Sequence, residues 1–319
     1  MATEDDQSSI RKRWEPRIQR FRRGWARFTQ HKIGVAGLAI FVVYSAWALF
    51  PSLFAPHSLE WIAYLGEPNP SGGYGRRLTA QEVQSLPHPP AFGDPFFAPL
   101  GTNQNGKGIL TLVIYSARTA MYIGLAAGTL SSLIGVPLGL ISGYYGDTWI
   151  DETIQRIVDI MYGLPFLPFL IVLVAIRGIT TTNIIIGIAV TSWLNNCITI
   201  RGETLSLKER SYVESAKVAG ASDTRIMFRH ILPNVLPLSF VFLAQDSAAA
   251  ILGQASLAYL GLADFTANSW GLMLQNIQAN GYVFQAWWWL LPPGIAITLT
   301  AAAFYFLGYS MEDVTNPQR

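Results

Sequence analysis

Six apolar stretches separated by polar segments divide the chain. Residues 33–50 run uncharged for 18 residues to Pro51, and residues 119–143 for 25 residues to Gly143. Crossing a hydrocarbon core of about 30 Å takes about 20 apolar residues, so each run predicts a membrane helix. A third span runs over residues 157–176, with Asp159 near its start and Pro165 and Pro168 predicting a kink. Residues 179–200 give an uncharged fourth. The fifth covers about residues 234–255 and carries Asp246, and the sixth covers about 287–308. The last opens on Trp287, Trp288 and Trp289, the aromatic cluster expected at a membrane interface.

Composition agrees with that pattern. Of 319 residues, 51% are hydrophobic and 13% charged, with mean hydropathy +0.31. A soluble domain carries roughly a quarter charged residues, so disorder, a nucleic-acid partner and an ordinary cytosolic enzyme are excluded. Cys197 is the single cysteine and has no disulfide partner within the chain; His31, His57, His88 and His230 lack metal-ligand spacing.

Charge placement sets orientation. Residues 1–32 hold nine Lys/Arg against four acids, residues 201–230 hold six, and residues 252–286 hold none. The positive-inside rule makes both basic segments and both termini cytoplasmic. The tail's 18-residue apolar run exceeds a signal core, so it reads as an uncleaved first span. Trp14, Phe21, Trp25 and Phe28 among its arginines fit either an interfacial helix on membrane lipid or a solvated orientation signal. The expected fold class is an all-α integral membrane protein: six transmembrane helices with a cytoplasmic helix–turn–helix coupling loop. Its parts are a basic tail (1–32), a first helix (33–50), an extracytoplasmic segment (51–116), a five-helix core (117–311, loop 201–234) and a short cytoplasmic tail (312–319).

Chemistry is sparse. Residues 101–108 imitate a phosphate-binding loop around Gly101, Gly106 and Lys107, but Gly108 stands where a magnesium-binding Ser or Thr is required. A Gly/Asn turn is the expectation. No HExxH, nucleophile elbow or paired histidine is present. Asp246, near mid-bilayer, needs water or a partner; lining a solute path and bonding between helices are both open.

The loop between the fourth and fifth spans holds more information. Ser206-Leu207-Lys208-Glu209 reads as a capping box opening a helix over residues 208–219, which Gly220 ends. Ser222 and Asp223 start a second helix, through Phe228 and His230, that breaks before Pro233. Tyr212-Val213-Glu214-Ser215-Ala216-Lys217-Val218-Ala219-Gly220, then His230-Ile231-Leu232-Pro233-Asn234, resembles the signature loop of ABC importer permeases. There a Glu-Ala-Ala-type triplet precedes Gly by four residues; here Ser215 replaces one Ala.

Further segments resemble the dipeptide/oligopeptide/nickel branch: Pro99-Leu100-Gly101-Thr102, Tyr115-Ser116-Ala117-Arg118, Gly135-Val136-Pro137-Leu138-Gly139, Gly143-Tyr144-Tyr145-Gly146, Arg201-Gly202-Glu203 and Tyr259-Leu260-Gly261-Leu262. Asn103 and Gln254 depart from acids common in that branch, at positions that bear on the solute.

The resemblance implies a permease subunit without catalysis or cofactor of its own, in a prokaryotic cell membrane. It implies a second homologous permease, two cytoplasmic ATPases carrying ATP and magnesium, and an extracytoplasmic solute-binding protein as partners. Glu214, Ser215, Ala216, Gly220, Arg229, His230 and Pro233 would form the ATPase-coupling loop, and Asp246 and Gln254 the candidate path lining. Small peptides are the first expectation for the solute, then nickel chelates. A self-sufficient facilitator would carry no docking loop.

Overall fold

The computed structural model describes residues 28–56, 58–59, 87–90 and 98–315, so residues 1–27 of the predicted basic tail, most of the outer segment and residues 316–319 lie outside the described residues. Helix α1 (Lys32–Leu49) fills the first apolar run. Pro51 then opens the single turn α2 (Pro51–Phe54), where a missing N–H costs nothing. Helix α3 (Ile109–Tyr144) is 36 residues long and begins ten residues before the predicted Thr119. Arg118 does not interrupt it, because its Nε donates to the Ala48 carbonyl at the C-terminal end of α1 (3.1 Å). The last eight residues of the 51–116 segment therefore belong to α3.

The third span is two helices rather than one kinked helix. α4 (Trp149–Tyr162) and α5 (Phe166–Arg177) meet at 89°. Pro165 caps α5 and Pro168 falls in its first turn, where amides have no intrahelical acceptor. Helix α6 (Thr181–Lys208) starts on the Thr180 hydroxyl, which accepts the Asn183 amide (3.2 Å).

The capping box predicted at Ser206 does not form. Ser206 lies in the last turn of α6, which continues because Thr204 and Leu207 extend its buried face. Helix α7 (Ser211–Val218) follows, then the single turn α8 (Asp223–Ile226). A π-helical turn, Met227–Ile231, joins α8 to α9 (Leu232–Tyr259), so the predicted break before Pro233 is absent. In a regular helix the Pro233 ring would crowd the Arg229 carbonyl. The wider turn, closed by the Leu232 amide on the Met227 carbonyl, removes that clash and keeps Asp223–Tyr259 continuous. Helices α10 (Trp270–Ala279) and α11 (Trp287–Thr315) complete the described fold.

Among the described residues five helical segments are long and apolar enough to cross a membrane, six if the bent α4–α5 pair is counted as one span. Helix α3 sits centrally and carries one glycine stripe that meets two different helices along its length. A Cβ on Gly128 would lie 2.8 Å from the Leu243 carbonyl oxygen of α9. Further along the same stripe, Cβ atoms at Gly135, Gly139 and Gly143 would come within 2.6 Å, 2.5 Å and 2.6 Å of α6 backbone oxygens of Trp193, Cys197 and Arg201. Repeating small residues let two helices approach at backbone contact, where dispersion replaces the hydrophobic driving force that lipid does not supply. Around this pair, Tyr44, Trp270, Trp289 and Phe304 join α1, α10 and α11 in one apolar cluster, and the Trp270 indole N–H fixes itself to the Val113 carbonyl (2.9 Å).

Gly139→Val is expected to destabilise the folded chain by about 1–3 kcal/mol, as overpacking does. Gly202→Ala, with nothing within 4 Å of its added carbon, leaves stability unchanged or slightly raised. Thermal unfolding of both variants in detergent checks this; equal stability would mean that α3 and α6 can separate without cost.

Candidate functional site

At the end of the bundle where α3 and α6 finish, α7, α8 and the π turn form a knob. Its inner side is apolar: Val213, Ile226, Met227 and Ile231 are buried against Val136, Leu140, Ile200 and Leu207. Its outer side is exposed. Val218 is 90% exposed, and Glu214, Ser215, Gly220, Arg229 and Pro233 are exposed with it. Ala216 and His230 are half-buried.

The spacing between Ala216 and Gly220 has a local cause. Gly220 adopts φ +80°, its amide donates to the Lys217 carbonyl (2.9 Å), and the Ala221 amide donates back to Ala216 (3.0 Å). This pair of bonds is the Schellman closure, which needs a left-handed residue four places after the residue that accepts the longer bond. Ser222 then accepts the Arg225 amide and starts the next turn.

Two side chains tie the knob to the bundle. The Tyr144 hydroxyl, at the end of α3, donates to Asp223 Oδ1 (2.6 Å), while the Lys217 ammonium lies 5.7 Å from the centre of the Tyr144 ring. Asn234 Nδ2, in the first turn of α9, donates to the Tyr212 hydroxyl of α7 (3.4 Å) and to the His230 carbonyl one turn back (2.6 Å). Beside them, Arg201 holds Asp151 through two bonds (Nε–Oδ1 2.7 Å, Nη2–Oδ2 2.6 Å), and the Ser142 hydroxyl and Asp147 amide also donate to that carboxylate. Neither tie figured among the expected site residues. The Arg201–Asp151 pair had one available signal: Arg201 ends the uncharged fourth run at the same membrane boundary where the acids Asp147, Asp151 and Glu152 precede the third.

Asp246 and Gln254 are not part of this knob. Asp246 lies 13 residues beyond Pro233 in sequence, about 20 Å along α9. Its Oδ2 accepts the Ser131 hydroxyl (2.6 Å) and Asn196 Nδ2 (2.7 Å), so it joins α9 to α3 and α6 in the interior. That is the geometry of a helix-packing bond. Gln254 is also buried.

The phosphate-loop imitation folds on itself. Asn103 Oδ1 accepts the amides of Asn105 and Lys107 (2.9 Å each), and the Asn103 amide donates to the Lys107 carbonyl (2.9 Å). Amides that would cradle a phosphate are thus engaged. At the same end of the bundle, Asp264 accepts the Thr181 amide (3.1 Å) at the start of α6 and the Thr266 hydroxyl (2.5 Å). The hydrogen bond from Thr266, with those from Thr181, holds the Asp264 carboxyl below its ordinary pKa. The contact is therefore complete at neutral pH and weakens only as pH falls through that lowered value.

Residues 135–319 match the binding-protein-dependent transport system inner membrane component family, and residues 19–68 match the N-terminal TM domain of oligopeptide transport permease C. The chain belongs to the first family. Among its relatives, the dipeptide transport system permease protein DppC of Bacillus subtilis (strain 168) is 31% identical over 297 residues, covering 92% of this chain and 84% of that protein. The oligopeptide transport system permease protein OppC of the same organism is 30% identical over 293 residues, covering 92% and 88%. The DppC of Haemophilus influenzae is 37% identical over 244 residues, covering 75% and 81%. Among solved structures, the inward-facing MetNI methionine ABC transporter aligns with TM-score 0.51 and 17% identity, over 65% of this chain and 95% of that one. The family is one of ABC transport permeases whose members work with other subunits of the importer. Gly135, Gly139, Gly143 and the whole knob fall within the matched region.

If the Tyr144–Asp223 bond fixes the knob, Tyr144→Phe should loosen it while keeping the ring beneath Lys217. A neutral-to-charged hydrogen bond contributes about 1.5–3 kcal/mol, less at an exposed site, so trypsin cleavage at Lys217 and Arg225 should quicken about fivefold. Unchanged cleavage would show that the apolar anchors hold the knob without it.

Proposed function

We propose that this chain is one permease subunit of an ATP-driven, binding-protein-dependent importer of di- and oligopeptides. The peptide assignment rests on the relatives named as dipeptide and oligopeptide permeases, which align along almost the whole chain. In this reading a homologous second permease completes the translocation path, two ATPase subunits carry ATP and magnesium, and an external protein delivers the solute. The knob, both termini and the basic segments face the cytoplasm, as the Lys/Arg asymmetry requires. Residues 51–108, and Phe284 with its neighbours, face outside.

The observation that carries the coupling role is the knob's construction. Its anchors are fully buried while Val218 and Glu214 stand in solvent, and Glu214 has no ion-pair partner among the described residues. A rigid projection with free apolar and acidic groups suits a groove that supplies an apolar floor and a basic side chain. ATPase closure then pushes the knob; because Asp223–Tyr259 is one continuous helix, the push reaches the membrane interior as a tilt of α9. Glu214, Ser215 and Ala216 form the contacting helix, Gly220 sets the angle to the next, and Arg229, His230 and Pro233 make the joint.

Gly220→Val tests this. A Cβ there meets nothing within 4 Å, so the penalty is purely conformational, about 1–2 kcal/mol for a left-handed β-branched residue. That is too small to unfold the bundle and large enough to turn α7 against α8. The variant should insert and assemble, yet lose most peptide uptake together with the stimulation of ATP hydrolysis by loaded binding protein. Gly220→Asn, which tolerates this conformation, should retain more of both. Full uptake by Gly220→Val would remove the coupling role; a facilitator would show that result.

A further inference from the structure

Helix α4 carries charges that the fold leaves unused. Asp151 and Val158 point into the bundle, Asp151 onto Arg201 and Val158 against Trp193, Leu194 and Cys197. At 100° per residue, Glu152, Arg156 and Asp159 form a separate stripe roughly 60° wide. All three are exposed, and no hydrogen bond or ion pair engages their side chains among the described residues.

Helix α6 measures how deep this stripe lies. Its uncharged part, residues 181–200, is about 30 Å long, the thickness of the hydrocarbon core, which sets Arg201 at the inner boundary. Asp151 is held at that boundary by Arg201. Val158 packs with Trp193, Leu194 and Cys197, four to eight residues inside it, and the Tyr162 hydroxyl donates to Asn195, six residues inside it. Arg156 and Asp159, which flank Val158 on α4, therefore lie beside the stretch of α6 that runs about 6–12 Å into the core. Free charges at that depth cannot face lipid; they face a water-filled passage. The adjoining strip of Trp149, Ile157 and Ile160, exposed and apolar, suits contact with lipid or the second permease.

We infer that Glu152, Arg156 and Asp159 of α4 line the cytoplasmic half of the solute path and receive the charged ends of a zwitterionic peptide. The inference rests on the peptide-importer reading. The charge order is acid, base, acid: Arg156 takes the carboxylate, and Glu152 or Asp159 takes the ammonium. Glu152 and Arg156 are about 6 Å apart along the axis, close to the ~7 Å that an extended dipeptide spans. Contact with a water-exposed stripe is weak enough to be left again, which conduction requires. The 89° bend after Tyr162 points α4 away from the line of α5, so the stripe need not follow the outer half of the span.

The test uses the whole importer in proteoliposomes, with Cys197→Ser and single cysteines at positions 156, 159 and 160. A membrane-impermeant, negatively charged methanethiosulfonate should modify Arg156→Cys and Asp159→Cys about tenfold faster than Ile160→Cys, because thiolates form only in water. Equal or slower modification would overturn the path assignment. Uptake of a dipeptide mixture, read by mass spectrometry, should fall about fivefold in Arg156→Gln and Asp159→Asn, with binding-protein-stimulated ATP hydrolysis within about twofold of wild type. Arg156→Lys should recover uptake. Unchanged uptake in both neutral variants, or equal loss of ATP hydrolysis and uptake without recovery by Lys, would overturn the substrate role. Absence of ATP-driven peptide uptake by the wild-type importer would instead contradict the peptide-importer reading, and the labelling ratio would still decide whether the stripe faces water.

Discussion

Gly135, Gly139 and Gly143 allow α3 and α6 to meet backbone to backbone, and the remaining structure is arranged around that contact. Lipid offers no hydrophobic force to bring helices together, so their attraction depends on how closely they approach. Once α3 and α6 are seated, Ser131 and Asn196 stand where they can share the Asp246 carboxylate, and α9 is registered against both. Ser142 and Arg201, one at the end of α3 and one near the end of α6, similarly meet on Asp151 and fix the start of α4. Buried polar groups of this kind contribute register more than affinity, because each is costly unless its partners are in place.

The same contact makes the platform for the knob. Val136 and Leu140 of α3, with Ile200 and Leu207 of α6, receive Val213, Ile226 and Ile231. Tyr144 adds a hydrogen bond to Asp223 from the last residue of α3. The exposed side of α7 is thereby backed by two helices, and the continuous helix Asp223–Tyr259 leads from it into the bundle. The Schellman closure at Gly220 keeps α7 and α8 at a fixed angle through backbone bonds, which solvent-exposed side chains alone could not do.

Much of this was legible in sequence where a single chemical requirement decided the outcome. Uncharged runs near 20 residues became helices, Gly220 took the left-handed conformation, and Ser222 capped the turn after it. The failures came where two local signals competed with packing. Ser206 and Glu209 had the spacing of a capping box, but burial of Thr204 and Leu207 carried α6 through them. Pro233 should have stopped a helix, and a π turn absorbed its ring instead. Pro165 signals a bend, but no local residue pattern specifies its 89°. Residues 109–118 fall outside the uncharged run because Arg118 ends it, and the Arg118 bond to the Ala48 carbonyl that lets the helix continue is a tertiary contact. The Tyr144–Asp223 tie joins residues 79 apart, and no local pattern marks it.

The central claim is that the helical rod Asp223–Tyr259 carries motion from the knob into the membrane without bending at the π turn. Pulsed electron paramagnetic resonance between spin labels at Arg225 and Tyr259, both exposed and about 50 Å apart along the rod, measures this directly in the assembled transporter. The distance distribution should keep its mean and width between the nucleotide-free and vanadate-trapped states. A shift or broadening on trapping would show that the rod yields at Met227–Ile231, and would contradict transmission through α9.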